Sequence, residues 1–373
     1  MTPVAGSGRI PARTAVFCQG TVRKMPSRKK VRVAVIGCGV ISELHLRCYA
    51  HNPDAKVVAV CDLLPERARF AAENRAPGAR WTADAAEIFA APDVDAVSIC
   101  TDHGSHAALA CAALGAGKHV LCEKSLAVNA RDLRKMLAAE AAHPELVAAG
   151  VFQHRFEPLP RVLRELVAEG AFGRLLTAAG SLYTFRGADY FRKDAWRGTK
   201  RREGGSALIN QAIHYFDLLL WIAGGAESAR ALSANLAHEG VIETEDTIAV
   251  SLRLKNGGLA SFVTTNAGIP QWESQLSFQG TAGSVEMRDE KLASLALADK
   301  KAEAKVRARV EKALEAGAKL FPKGKDYYGT GHQAQIDDFV RAVRTGKRPR
   351  VTFSDAAETD AMVFAAYASA ARG

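Results

Sequence analysis

VRVAVIGCGVISELHLRCYA, residues 31–50, decides how the first half of the chain folds. An apolar, β-branched run broken only by Arg32 meets two glycines, and Ile41, Leu44, Leu46 and Cys48 then mark a helix. The order is strand, tight turn, helix. Gly37 permits the turn and Gly39 lets the backbone approach a pyrophosphate. The helix beginning near Val40 and Ile41 offers free amide donors and the positive end of its dipole. Ser42 replaces the third glycine of the usual GxGxxG pattern and is small enough for close helix packing. A second apolar run, KVVAVCD, ends at Asp62, 23 residues beyond Gly39, where a carboxylate suits a ribose diol. Leu63 and Leu64 follow without an adjacent cation, so a 2′-phosphate meets repulsion. NAD is expected over NADP, with Arg67 the residue that would argue otherwise.

Residues 95–120, DAVSICTDHGSHAALACAALGAGKHV, and 119–140, HVLCEKSLAVNARDLRKMLAAE, repeat the pattern of apolar run and helical stretch. This alternation predicts an α/β fold built on a doubly wound parallel sheet, a Rossmann domain. Ligands bind such sheets beyond the carboxyl ends of the strands, which places Thr101, Asp102, His103, Glu123 and Lys124 at the cofactor. Gln153 is placed in the same set. His106 reads equally as a surface helix histidine or a cofactor contact.

At 373 residues the chain is long for one core. The expected division is a basic, disordered tail over 1–30, a Rossmann domain over 31–150 and a second domain over 151–373. The formal charge of +10 is misleading, because residues 1–30 carry seven Arg and Lys and no acid, which leaves +3 for the rest. Neither zinc-finger spacing nor aromatic-basic interleaving marks a nucleic-acid surface. No apolar stretch approaches the roughly 20 residues that span a bilayer, and the tail lacks the apolar core of a secretory signal. Met25, shortly before the first strand, offers an alternative start. Seven cysteines, an odd number without any CxxC pair, read as free thiols in a reducing cytoplasm rather than as a metal site.

The second half opens differently. EGGSALINQAIHYFDLLLWIAGG, residues 203–225, is a buried helix interrupted by Asn210, His214 and Asp217, spaced four and then three apart on one side. Such a stripe either walls a cleft or satisfies buried backbone groups between domains. From about Gly180 the pattern shifts to short strand-like runs (LLTAAGSLYTF, DTIAVSLRLKN, GLASFVTTN, GSVEMRD), separated by KNGG and GTAG turns, a hairpin-rich sheet. Residues 298–329 are charged, with Val306, Val310 and Leu314 at helical spacing, and predict an amphipathic surface helix. An alanine-rich helix is expected from Ser354 onward.

Taken together, IGCGVIS with His45, AALGAGKHVLCEKS, WRGTKRREGGSALINQAIHYFDLLLWIAG, EDTIAVSLRLKNG and GHQAQIDDFVRAVRTGKRPRV resemble the Gfo/Idh/MocA family of sugar and cyclitol oxidoreductases from about Val31 onward. The resemblance implies a carboxyl-terminal α/β domain with an open, mostly antiparallel sheet, through which homodimers or homotetramers form. It also implies an NAD-dependent dehydrogenase in which Lys124 and His214 flank the hydroxyl being oxidised. Two positions depart from the family pattern. Ser125 stands where proline is usual after a lysine whose following bond is often cis, and Asn210 stands where an aspartate is usual. Asn210 can hydrogen-bond a sugar but cannot take its proton. That role falls to His214, with an ordinary pKa of about 6.5. Asp217 either orients the imidazole or bonds nearby backbone. The WRGT, EGG and NQxIH elements look most like the branch acting on nucleotide-linked sugars, including UDP-N-acetyl-hexosaminuronic acids. Gln211, Trp196, Arg197 and Arg155 are the expected substrate contacts, the two arginines serving an anionic sugar, with Arg186, Arg192 and Lys200 as further candidates. The other readings are a glycoside-cleaving enzyme that oxidises, eliminates and re-reduces with retained NAD, and a non-catalytic sugar-binding protein.

Overall fold

The computed structural model describes residues 29–317 and 330–372. Nearly all of the basic tail, and residues 318–329 of the charged segment, lie outside the described residues. The first half alternates β1 (Val31–Ile36), α1 (Val40–His51), β2 (Ala55–Cys61), α2 (Pro65–Asn74), β3 (Arg80–Thr82), α3 (Ala85–Ala90), β4 (Ala96–Ile99), α4 (His103–Gly115), β5 (His119–Cys122), α5 (Ala130–Ala142) and β6 (Ala148–Gly150). These six strands form one parallel sheet in the order β3-β2-β1-β4-β5-β6. The order reverses between β1 and β4, where a doubly wound sheet opens its crevice. β1 shows why its sequence is apolar at successive positions. Val31, Val33 and Val35 enter one core while Ala34 and Ile36 enter the other, so both faces of the strand are buried.

The second half comprises α6 (Pro158–Ala168), β7 (Leu175–Phe185), α7 (Ala188–Arg192), α8 (Ile213–Ala223), β8 (Ala226–Ala234), β9 (Thr247–Leu254), β10 (Leu259–Thr265), β11 (Ala267–Gly280), β12 (Gly283–Arg288), β13 (Lys291–Leu297), α9 (Lys300–Gly317), α10 (Gly331–Thr345) and α11 (Phe353–Ala370). Its seven strands run β13-β12-β11-β7-β10-β9-β8, and every neighbouring pair is antiparallel except β7 and β10. Along β9, Ile248, Val250, Leu252 and Leu254 are buried on the face that helices cover. The opposite face carries the row Leu232, Ala249 and Val263 across three strands, with Leu232 71% exposed.

The second half does not stand apart from the first. Ile336, Phe339, Val340 and Val343 of α10 form an apolar stripe at helical spacing, and that stripe seats on the first domain's core beside Val31, Val33, Leu44 and Leu46. Asn52 at the end of α1 donates to Asp337 at 2.6 Å, and Arg344 pairs with Asp54. The chain therefore returns to the first domain before α11 packs beside α5 and β8. No helix among the described residues is long and apolar enough to cross a membrane.

Truncating Phe339, which is 1% exposed, tests this return. Phe339→Ala is expected to cost about 3–5 kcal/mol, the usual range for a large buried aromatic. Urea unfolding should show a lower midpoint with little change in slope.

Candidate active site

A cleft of about 1640 Å³ runs from the glycine turn of the first domain to the start of α8 in the second. Gly37 has φ +91°, and a Cβ placed there would stand 2.6 Å from the Cys100 carbonyl oxygen, so only glycine makes this turn. A Cβ on Gly39 would meet no atom within 4 Å, leaving room against its backbone, and no side chain caps the amides of α1 there. Asp62 accepts from the Cys38 amide at 2.7 Å and the Leu64 amide at 2.9 Å, which fixes its carboxylate at the end of β2. These residues, with Val40, Ile41, Thr101 and Asp102, line the cleft and fit a dinucleotide. Arg67 is turned toward Asp194 across the cleft, 3.9 Å away.

Lys124 follows β5, and the Lys124–Ser125 peptide bond is cis. The Ser125 hydroxyl is not idle, lying 2.7 Å from Asp360 Oδ1. Lys124 Nζ donates to the backbone oxygen of Asn210 at 2.9 Å and to its side-chain oxygen at 3.0 Å. Asn210 lies in a turn of π-helix, Ala207–Ala212, that leads into α8. Its amide donates to Glu203, which also accepts from the Gly198 amide. A continuous chain thus links Lys124, Asn210 and the fully buried Glu203. Burial raises the Glu203 carboxyl to about 7, against the hydrogen bonds from Gly198 and Asn210. Burial also lowers the Lys124 ammonium from its ordinary value, opposed by Glu123 and Glu203 and reinforced by Arg186 and Arg197.

His214 sits one turn beyond Asn210. Burial, and then the positive charges of His154, Lys124 and His332, hold its imidazole well below the ordinary value. His154 is the opposite case. Burial disfavours its charge, but Glu157 at 2.9 Å and Glu290 at 3.4 Å raise it to about 9. The two rings stand 5.1 Å apart, so a cationic histidine helps to keep its neighbour neutral. His214 Nε2 lies 3.4 Å from the Gln153 amide nitrogen. Buried His214 Nδ1 and Gln153 Oε1 have no hydrogen-bond partner among the described residues, which suits a site built around a bound group.

Of the residues chosen from sequence, Glu123, His103, Trp196, Arg197 and Gln211 also line the cleft. Glu123 accepts a 2.9 Å contact from His45, and this imidazole's bond and charge hold it down to about 2 although burial favours the neutral form. The His103 ring packs 5.5 Å from Trp196 and bonds the Glu203 backbone oxygen at 2.9 Å. Arg197 stacks 3.9 Å over the Tyr190 ring, whose hydroxyl accepts from Gln211 at 2.9 Å. Three expectations are corrected. His106 is enclosed, between the Ser125 oxygen at 2.7 Å and the Thr101 oxygen at 3.2 Å. Asp217 points away from His214, accepting Arg155 at 2.5 and 2.8 Å and Thr359 at 2.5 Å. Arg155 is therefore a buried structural partner and not a wall of the cleft. Helical spacing alone does not turn Asp217 away, because seven residues at about 100° each return it to within about 20° of Asn210; it is the Arg155 guanidinium and the Thr359 hydroxyl that hold its carboxylate aside.

Sequence reasoning missed Glu203, Tyr190, His154 and His332. Glu203 lies in the very motif that was read for Asn210, and its distinguishing signal is burial, which no spacing reveals. Two groupings, the buried His45 with Glu123 and His332, and buried His154 and Glu157 with the partly exposed Glu290, bring possible metal-ligand atoms within 4.8 Å of one another, and ion pairs join members of each.

Comparison with known proteins now decides the family. The model of the Gfo/Idh/MocA oxidoreductase family's NAD-binding Rossmann fold matches residues 31–151, and the model of its carboxyl-terminal alpha/beta domain matches residues 164–373. The chain belongs to the Gfo/Idh/MocA oxidoreductase family. It is a dehydrogenase with NAD as cofactor. A levoglucosan dehydrogenase of Pseudarthrobacter phenanthrenivorans is 27% identical over 88% of this chain and 93% of its own. The WlbA dehydrogenase from Bordetella pertussis, solved with NADH and UDP-GlcNAcA, superposes with a TM-score of 0.83 and 28% identity, covering 94% of this chain and 98% of that one. Levoglucosan dehydrogenase in complex with NADH and levoglucosan gives 0.79 and 25%, covering 92% and 98%.

Replacing Asp62 tests the cradle. Asp62→Ala is expected to weaken NAD binding about tenfold, the scale of one lost charge-assisted hydrogen bond, and to narrow the preference over NADP. Fluorescence titration with both dinucleotides reads both effects.

Proposed function

We propose that the enzyme oxidises a secondary hydroxyl of a sugar, and that the physiological substrate is a nucleotide-linked sugar bearing an acid group. The observation that carries the reading is the Lys124 ammonium held by Asn210 one turn before a neutral His214, inside the cleft that begins at the dinucleotide cradle. NAD held by the Gly37–Gly39 turn and Asp62 would supply the hydride acceptor for the carbinol carbon. His214 takes the hydroxyl proton at its imidazole nitrogen, which its depressed pKa leaves free at neutral pH. Lys124 donates a hydrogen bond to the same oxygen and stabilises the negative charge that develops as the proton leaves. The carbinol becomes a carbonyl, and the proton passes from His214 to solvent.

Support for an anionic, nucleotide-linked substrate comes from the cleft's basic wall, where Arg186, Lys193, Arg197 and Arg202 sit beside Tyr190 and Trp196. The structural likeness to a dehydrogenase solved with UDP-GlcNAcA points the same way. Arg197 takes the role first shared with Arg155, since its guanidinium is stacked on Tyr190 and its buried Nε has no partner among the described residues. The apolar row on the uncovered sheet face supports assembly into a homodimer or homotetramer through that face. The six cysteines among the described residues are unpaired, which supports a reducing, cytoplasmic setting.

The primary test is NADH formation on mixing the enzyme with NAD and UDP-GlcNAcA, with levoglucosan and myo-inositol as comparison substrates. No turnover on any sugar acid or cyclitol, together with cleavage of an aryl glycoside and no net NADH, would instead favour the retained-cofactor glycosidase. His214→Ala and Lys124→Ala are each expected to lower kcat by about 10²–10⁴ while NAD still binds. The rate should fall on the acid side only below pH 6.5, where His214 becomes protonated, and on the alkaline side below Lys124's ordinary pKa, where its charge is lost. Leu232→Glu with Val263→Glu should reduce the assembled species to monomer in light scattering.

A further inference from the structure

A second cavity, of about 180 Å³, lies outside the cleft between α6, α8 and the segment before α11. Four arginines line it, Arg155, Arg161, Arg164 and Arg350, over the aromatic surfaces of Phe156 and Trp221. Among the described residues that line it the one acid is Glu165, and that carboxylate is held by Arg309 at 2.7 Å. Arg155 is 8% exposed and spends Nε and Nη2 on Asp217 and the Asp355 oxygen. Its Nη1 has no hydrogen-bond partner among the described residues. The side chains of Arg161 and the half-buried Arg164 make no hydrogen bond and no ion pair among those residues either. Burial lowers Arg164, the positive charge of Arg155 lowers it further, and Glu358, which offsets it, is itself paired with Lys255 at 3.2 Å. Arg350 leans on the Phe156 ring with only a 3.8 Å contact to Asp338.

Guanidinium groups crowded around one cavity repel each other, and half-burying one without a counter-ion is costly. The cost is removed by a ligand that brings negative charge and several acceptor oxygens to converging donors. We propose that this cavity is a binding site for a compact oxyanion of the phosphate class, held by Arg161, Arg164 and the free Nη1 of Arg155. The site is connected to the chemistry. Arg155 holds Asp217, which lies one turn beyond His214 on α8, so an occupied cavity braces the helix that carries the base.

The experiment is equilibrium dialysis of the full-length enzyme against radiolabelled inorganic phosphate at constant ionic strength, with NAD saturating to fill the cradle. The expected result is one saturable class of sites, lost at least about tenfold in affinity in the Arg161→Gln, Arg164→Gln double variant. Neither side chain is fully buried and removing them relieves the repulsion, so the variant's melting temperature in phosphate-free buffer should equal or exceed the parent's. If the double variant fails to fold, the exposed Arg161→Gln alone serves, with a smaller loss of affinity expected. A pentose phosphate that competes more strongly than inorganic phosphate identifies a phosphorylated metabolite as the ligand, and equal competition identifies the free ion. Absence of saturable binding, or binding unchanged in the variant, overturns the proposal.

Discussion

The contact between Lys124 Nζ and Asn210 joins the last elements of the two halves that must cooperate. Lys124 is delivered by the end of a parallel strand, where the doubly wound sheet leaves its crevice open, and Asn210 by a widened turn entering a buried helix. A charged group in that position is tolerable only with partners, because a desolvated ammonium loses several kcal/mol of hydration. Asn210 supplies two oxygens, and behind it Glu203 supplies the charge. The site therefore accommodates an amide where a carboxylate is usual by setting the carboxylate one step further back. The same arrangement holds the imidazole of His214 neutral among cations, so the proton acceptor and the hydrogen-bond donor keep different protonation states in one cavity.

Much of this was legible in the residues. The glycines at 37 and 39 and the carboxylate at 62 announce themselves because backbone approach and a ribose contact demand those residue types at that separation. The strand-and-helix alternation predicts the parallel sheet for the same reason, since both faces of each strand must be apolar. Asn210 and His214 were readable from spacing, but spacing left Asp217 ambiguous. A residue seven positions along a helix returns to nearly the same side, yet a neighbouring arginine decided which way its carboxylate turned. Glu203 and Tyr190 escaped because their roles come from what the fold lays over them.

The return of α10 to the first core was illegible for a related reason. Its stripe of Ile336, Phe339, Val340 and Val343 says that one face is buried, without naming the partner. The EDT motif shows the converse, a local sequence with a distant duty. Glu245 accepts the amides of Ser206 and Leu208 at the start of the π-helical turn, and Asp246 accepts those of Leu236, Ala237 and His238. Both carboxylates serve as caps for backbone left unpaired where regular structure begins.

A body hung from another by a single strand of chain can swing freely, whereas one tied at several separated points can barely turn. Here the polypeptide leaves the first domain after β6, comes back as α10, and leaves again into α11, with a bridge between Ala149 and Thr352 fastening the last crossing to the first. Each added tie restrains a hinge at the cleft, so the separation between the cofactor's cradle and the proton acceptor rests on three crossings of the chain rather than one.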